Sequence, residues 1–326
     1  MRRAKFIMIL VVGACLLTQG ASLAGSWPGR PEQEQSTARH SIDSGMTRWE
    51  ISCMIRKDKF DYVLPGAMRR NDVDMWIVID RGRGTEPMTR DFGVDTVNGQ
   101  GFYVFSDRGG DRIERFQLGG ETDLAEACGA YDRFGRVSEL REVVRERDPR
   151  RIALNYLEVP NNREGLHIAD GLSHTDYLFL QEALGDPYAD RLVSAQKLIA
   201  DFHGERVAGE IIEFSKIGDI TSTLQERALS NEVVTPGVTT LLDVCWWLEE
   251  QMFVQGLERA WFPTVYVHLP DGDEVANSDR VVQRGDVIQI DWGAGRNNFL
   301  TDSKRFAYVL KEGETEVPEG IRNAFA

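Results

Sequence analysis

Apolar and polar residues along this chain repeat with two different periods, and the switches between them outline its elements. Residues 74–80 hold a nearly continuous apolar run, Met75-Trp76-Ile77-Val78-Ile79 between two aspartates, which predicts a short buried strand. Residues 101–106 and 112–118 flank Gly109-Gly110 and predict a hairpin, and 151–156 predict a further strand. A helix is expected over 43–60, with Leu64-Pro65-Gly66 as the break after it. Strands alternating with helical stretches predict a first α/β domain over 43–187. Beyond it, Val207, Ile211, Phe214, Ile217, Leu224 and Ala228 recur at helical spacing. They predict a helix over 204–229 with those six on its buried face. Pro236-Gly237 stops it, and Thr240-x-x-Asp243 opens a helix to 255 in the manner of a capping box. Residues 263–268 predict a strand.

Two strands are expected next, over 285–293 and 299–305, around a turn region at 294–298. They carry Asp291 and Asp302. If the hairpin closes between Arg296 and Asn297, the two aspartates are directly opposite on one face. Their Cβ atoms would then be ~4.5–5.5 Å apart, a separation at which like charges destabilise a sheet. One carboxylate must take up a proton, or a cation must sit between them. A metal is the simplest resolution, and oxygen donors on a rigid hairpin suit Mn, Mg, Co, Zn or Fe. Facing carboxylates can also bridge two ions and activate a water between them. The plainer reading is a pair of ordinary solvent-facing acids.

Composition narrows the partners. A net charge of −14, spread without long blocks, argues against a nucleic-acid surface. The amino terminus reads as an export signal over 1–24, followed by a flexible leader over 25–42. Arg2, Arg3 and Lys5 precede an apolar run over 6–17, and Ser22-Leu23-Ala24 is an acceptable cleavage site. The run is shorter than the ~20 residues of a comfortable membrane span, so a periplasmic or secreted protein without a stable span is expected. Val12-Gly13-Ala14-Cys15 leaves open a lipoprotein anchored through Cys15. Cys53, Cys128 and Cys245 remain after cleavage, odd in number and without a CxxC spacing, and are expected to be buried free thiols.

The hairpin sequence, Gly285-Asp286-x-Ile288-x-Ile290-Asp291-x-Gly293 followed by Thr301-Asp302-x-x-Arg305, resembles the signature hairpin of the M24 metallopeptidases. That family includes Xaa-Pro aminopeptidases, prolidases, methionine aminopeptidases and creatinase. Leu64-Pro65-Gly66-Ala67-Met68-Arg69 and Asp74-Met75-Trp76 resemble the start of a creatinase-type amino-terminal domain. Leu192-Val193-Ser194-Ala195, Glu210-Ile211, Pro236-Gly237-Val238-Thr239-Thr240 and Asp243-Val244 resemble the opening helices of the catalytic domain. The likeness covers about residues 43–326. It implies an α/β (α+β) fold: a creatinase-like α/β domain over 43–187, then a partial "pita-bread" domain over 188–326. It also implies a dinuclear centre of two Asp, one His and two Glu, holding two divalent ions (Mn, Co, Zn or Fe). Asp291 would bind one ion and Asp302 would bridge both. Arg305 matches a family arginine.

The departures matter equally. The family's His and both Glu ligands follow the hairpin, whereas this sequence stops at Ala326. The expectation is therefore a fragment of a longer Xaa-Pro aminopeptidase-like enzyme, inactive as written, acting when complete on peptide substrates and possible as a homodimer. The alternatives are a non-catalytic M24-like scaffold, and a creatinase-like hydrolase of a non-peptide C–N bond. His268 stands where the family places a substrate-binding or proton-donating His, and is equally readable as a strand-end residue. His167 and His174, near Asp170 and Asp176, read as a polar loop; His203 is expected to begin a helix, and His40 lies in the leader. Trp246-Trp247 and Trp261-Phe262 are readable as an aromatic substrate pocket, but core packing on a helix and at a strand start is the expectation.

Overall fold

The buried run at 75–79 is the centre of the first half of the structure. A computed structural model describes residues 44–81, 86–93, 100–120, 122–158, 169–269 and 271–324. The expected signal and leader, with Cys15 and His40, and also His167 lie outside the described residues.

In chain order the first half runs α1 (Gly45–Asp58), α2 (Leu64–Arg70), β1 (Met75–Asp80), α3 (Thr89–Phe92), β2 (Gly101–Ser106) and β3 (Glu114–Leu118). It continues with α4 (Asp123–Cys128), β4 (Arg133–Gly135), α5 (Leu140–Arg147), β5 (Ile152–Leu154), α6 (His174–Leu184), β6 (Leu192–Ser194) and α7 (Gln196–Gly204). The strands form one mixed sheet in the order β4-β3-β2-β1-β5-β6. Alternation along β1 sends Trp76 and Val78 to one face and Met75, Ile77 and Ile79 to the other. Helices α1, α2, α4 and α7 cover the first face and α5 and α6 the second. With both faces buried, a strand has no polar side, which is why its apolar run is unbroken.

Leu64-Pro65-Gly66 does not end the first helix as expected. A π-turn over Lys59–Val63 joins α1 to α2, and Pro65 sits in the first turn of α2, where no N–H is needed. The cysteines also differ from expectation. Cys53 on α1 and Cys128 on α4 form a disulfide with Cα atoms 5.3 Å apart, because both helices cover the same sheet face. Cys245 is free and buried, and burial pushes its thiol up to about 12.

The second half comprises α8 (Ala208–Ala228), α9 (Leu241–Val254), β7 (Glu258–Arg259), β8 (Thr264–His268), β9 (Glu274–Ala276) and β10 (Val287–Trp292). Then come β11 (Ala294–Arg296), β12 (Phe299–Leu300), β13 (Ser303–Tyr308) and α10 (Glu319–Ala324). A four-stranded sheet, β13-β10-β8-β9, packs one face on α8 and α9. The capping box of α9 forms as expected: Asp243 N donates to Thr240 Oγ1 and Thr240 N to the Asp243 carboxylate.

Helix α8 buries Val207, Ile217, Leu224 and Ala228 as their spacing predicts, but not Ile211 and Phe214. Ile211 is 57 % and Phe214 49 % exposed, while Glu210 and Glu213 are buried. Specific charge pairs hold these two carboxylates inward. Glu210 lies 3.5 Å from Lys59 and accepts from Val207 N at 2.8 Å; Glu213 meets Lys216 at 2.7 Å and Arg296 at 3.2 Å. Among the described residues no helix is long and apolar enough to cross a membrane.

Candidate active site on the carboxylate hairpin

Strand β10 sorts its side chains by parity. Ile288, Ile290 and Trp292 enter the core beneath α8 and α9, which leaves Gln289 and Asp291 on the opposite face of the sheet. The hairpin that follows turns at Asn297-Asn298, with φ of +52° and +68°. Both central residues are left-handed, the requirement of a two-residue type I′ turn, and asparagine tolerates it. Arg296 then pairs with Phe299, and the same register places Asp291 opposite Lys304 and Trp292 opposite Ser303.

The turn thus closes one residue later than expected, and Asp291 and Asp302 are not directly opposite. Continuing the register, Asp302 falls opposite Gly293. It shares the face of Asp291 but lies diagonal to it, a relation that separates α-carbons by roughly 7–8 Å. The residue facing Asp291 is a cation: Lys304 Nζ is 2.6 Å from Asp291 Oδ2. The bond from Asp291 raises the Lys304 ammonium above its ordinary range, and the charge of Asp302 adds to the effect.

Gly293 and Thr301 make the kink between these residues. Thr301 N donates to Ala294 O at 2.9 Å, Ala294 N to Thr301 Oγ1 at 3.1 Å, and Thr301 Oγ1 to Ala294 O at 3.1 Å. A Cβ on Gly293 would stand 1.8 Å from Thr301 O and 2.7 Å from Trp261 Cη2, so only glycine admits this approach. Asp286 has a structural task. It receives both Nη atoms of Arg280, at 2.7 and 3.0 Å, and Gln283 N at 2.7 Å, fixing the entry to β10. Buried partners on α8 hold the hairpin down. Glu213 accepts from Arg296 and Asn297, and Gln225 exchanges hydrogen bonds with Ser303.

His268 lies on the same sheet face, opposite Val287, four residues along from Asp291 in the β10 register. That offset is about 13 Å along a strand. Between them lie Tyr266 and Phe306, both opposite Gln289. The imidazole stacks on Phe306 and Tyr266, with Nε2 2.7 Å from Gln289 Oε1 and Nδ1 3.1 Å from Glu274. It shares the surface of the acid pair without touching it. Arg305 lies on the other face, where it donates to Ser222 Oγ of α8 at 2.9 Å. His203 ends α7 rather than beginning a helix, and sits 3.3 Å from Asp91. His174 opens α6, remote in sequence from the hairpin. Trp247 and Phe262 pack against the core, while Trp246 is 55 % exposed and meets Phe262 edge-on.

The residues present do not fit a dinuclear metal centre. Among the described residues no three of His, Cys, Asp and Glu are grouped to hold an ion, and the cation beside the acid pair is an ammonium. Sequence reasoning overlooked Lys304, although Asn297-Asn298 was the available signal for the register that brings it opposite Asp291.

No protein-family model and no curated protein sequence matches the chain. Solved structures do. The X-Pro aminopeptidase of Thermotoga maritima superposes with a TM-score of 0.56 at 18 % identity, over 79 % of this chain and 67 % of that one. An Xaa-Pro dipeptidase from Bacillus anthracis gives 0.53 at 16 %, over 83 % and 68 %. Proline aminopeptidase P II from Yersinia pestis gives 0.52 at 13 %, over 79 % and 63 %. The chain therefore spans about two thirds of the length of these proteins, and over that span it has the fold of the Xaa-Pro aminopeptidases and prolidases, as its resemblance to the M24 peptidases implied.

Proposed function

We propose that this chain carries the substrate-side half of an Xaa-Pro peptidase-like site, acting on the amino-terminal bond of peptides. The observation that supports it is the acid pair Asp291/Asp302 on a kinked hairpin within a fold shared with such peptidases. Carboxylates on this face accept hydrogen bonds from a peptide's terminal ammonium, and the rings of Tyr266, Phe306 and His268 offer a flat surface for a prolyl side chain. Hydrolysis needs water-activating groups that the described residues do not bring together, so no catalytic step is assigned to them. The ion expected from the family, two divalent cations held by Asp291, Asp302 and further ligands, belongs to this proposal as a requirement the described residues leave unmet.

The Lys304–Asp291 contact favours a second reading, a peptide-binding scaffold without turnover. Assaying the purified protein with Xaa-Pro dipeptides and longer prolyl peptides, with and without Mn²⁺, separates the two. Release of the amino-terminal residue supports the peptidase. Saturable binding without release supports the scaffold, and neither binding nor release refutes both. Cleavage of a guanidino substrate alone would instead favour the creatinase-like activity. We also propose export, because a disulfide such as Cys53–Cys128 persists in an oxidising compartment and accords with the signal expected at 1–24.

A further inference from the structure

The hairpin register leaves the acid pair with a charge partner built into the chain. Asp291 and Asp302 share one sheet face, and the residue opposite Asp291 on β13 is Lys304. Its ammonium is 2.6 Å from Asp291 Oδ2 and is attracted by Asp302 as well. On β8 the residue opposite Asp291 is Thr264, which is uncharged. The next cation along β13, Arg305, is turned to the other face and Ser222. Of the other titratable groups on this face, Tyr266 also acts on the Lys304 charge, whereas His268 and Glu274 meet beside Gln289 and Tyr308 bonds to Glu314.

Two carboxylates present a charge of −2 to an incoming cation; with Lys304 paired to Asp291 the local charge is −1. A divalent ion would meet half the attraction and would have to displace an ammonium already in contact with one of its ligands. Without a third donor from His, Cys, Asp or Glu among the described residues, nothing compensates that loss. We propose that Lys304 is the resident cation of the Asp291/Asp302 pair, standing where the family would place a divalent ion and excluding it. The inference rests on the scaffold reading above, in which this pair is the counterpart of the peptidase acid pair without its ions. It makes the pair a lysine-occupied carboxylate site, with the ammonium held on Asp291.

Lys304 is 53 % exposed at its side chain, so replacing it leaves the core untouched. Mn²⁺ binding, followed by loss of its free EPR signal at low ionic strength, tests the idea without reference to peptide cleavage. Wild-type protein and Lys304→Arg are expected to bind no tighter than millimolar. Lys304→Gln and Lys304→Thr are each expected to bind at least tenfold tighter, and adding Asp291→Asn to Lys304→Gln should abolish the gain. Circular dichroism confirms that each variant is folded. Micromolar binding by wild type, or folded Lys304→Gln and Lys304→Thr that bind no tighter than wild type, overturns the proposal. Failure to cleave prolyl peptides would count against the peptidase reading while leaving a gain of Mn²⁺ affinity in place.

Discussion

Gly293→Ala should break the hairpin that carries the acid pair, and its cost can be worked from the contact. The new Cβ would meet Thr301 O at 1.8 Å and Thr301 C at 2.9 Å. Both are backbone atoms, so no side chain can swing aside and the strands must separate by more than an ångström. That movement removes the three hydrogen bonds between Ala294 and Thr301. At about 1 kcal/mol each they amount to about 3 kcal/mol. Overpacking against Trp261 adds about 1–3 kcal/mol. The expected loss is therefore about 5 kcal/mol, read as a fall in the urea midpoint at unchanged slope. Gly218→Ala is the matched control, because a Cβ there, inside α8, has nothing within 4 Å. It should stabilise by about 0.5–1 kcal/mol through helix propensity. If Gly293→Ala unfolds within about 1 kcal/mol of wild type, the two strands are not in the close contact described and the explanation of the motif glycine fails.

Two further outcomes follow from the first half of the chain. The Cys53–Cys128 bond closes a separation of 75 residues, for which loop entropy gives about 4.5 kcal/mol. Cys53→Ser/Cys128→Ser should lose roughly that amount in urea unfolding, and an undiminished stability would show that the bond does not form. Glu86 is 1 % exposed, and burial pushes its carboxyl up to about 7 despite a hydrogen bond from Asn155 Nδ2 at 2.7 Å. A raised carboxyl binds its proton more tightly in the folded than in the unfolded chain. Its contribution to stability is thus full below about pH 4.5 and lost as pH rises to about 7, by about 3 kcal/mol at most. Glu86→Gln should flatten that decline between pH 5 and pH 8; equal pH slopes in the two proteins would refute the assignment.

Elements and their order were largely legible because period and turn chemistry are local properties. The unbroken run at 75–79, the Thr240/Asp243 cap and the alternation of Ile288, Ile290 and Trp292 each state their own conformation. The motif residues Gly293 and Thr301 were legible too, and the structure supplies their reason in a backbone approach that admits no Cβ. Faces were less legible. Ile211 and Phe214 obey helical spacing yet are exposed, because Lys59 and Arg296 draw Glu210 and Glu213 inward from elements remote in sequence.

By itself, then, the sequence determined the principal elements, among them β1, α9 and β10, and that two aspartates belong to one hairpin, though Leu192-Val193-Ser194, likened to a helix, forms strand β6. Tertiary structure alone decided that Cys53 meets Cys128 and that α8 buries its carboxylates, and it showed Asp291 facing Lys304 instead of Asp302. The difference is physical. A residue's conformation is biased by neighbours a few positions away, whereas partners across a sheet depend on a register that two asparagines at a turn can move by a full cross-strand pair.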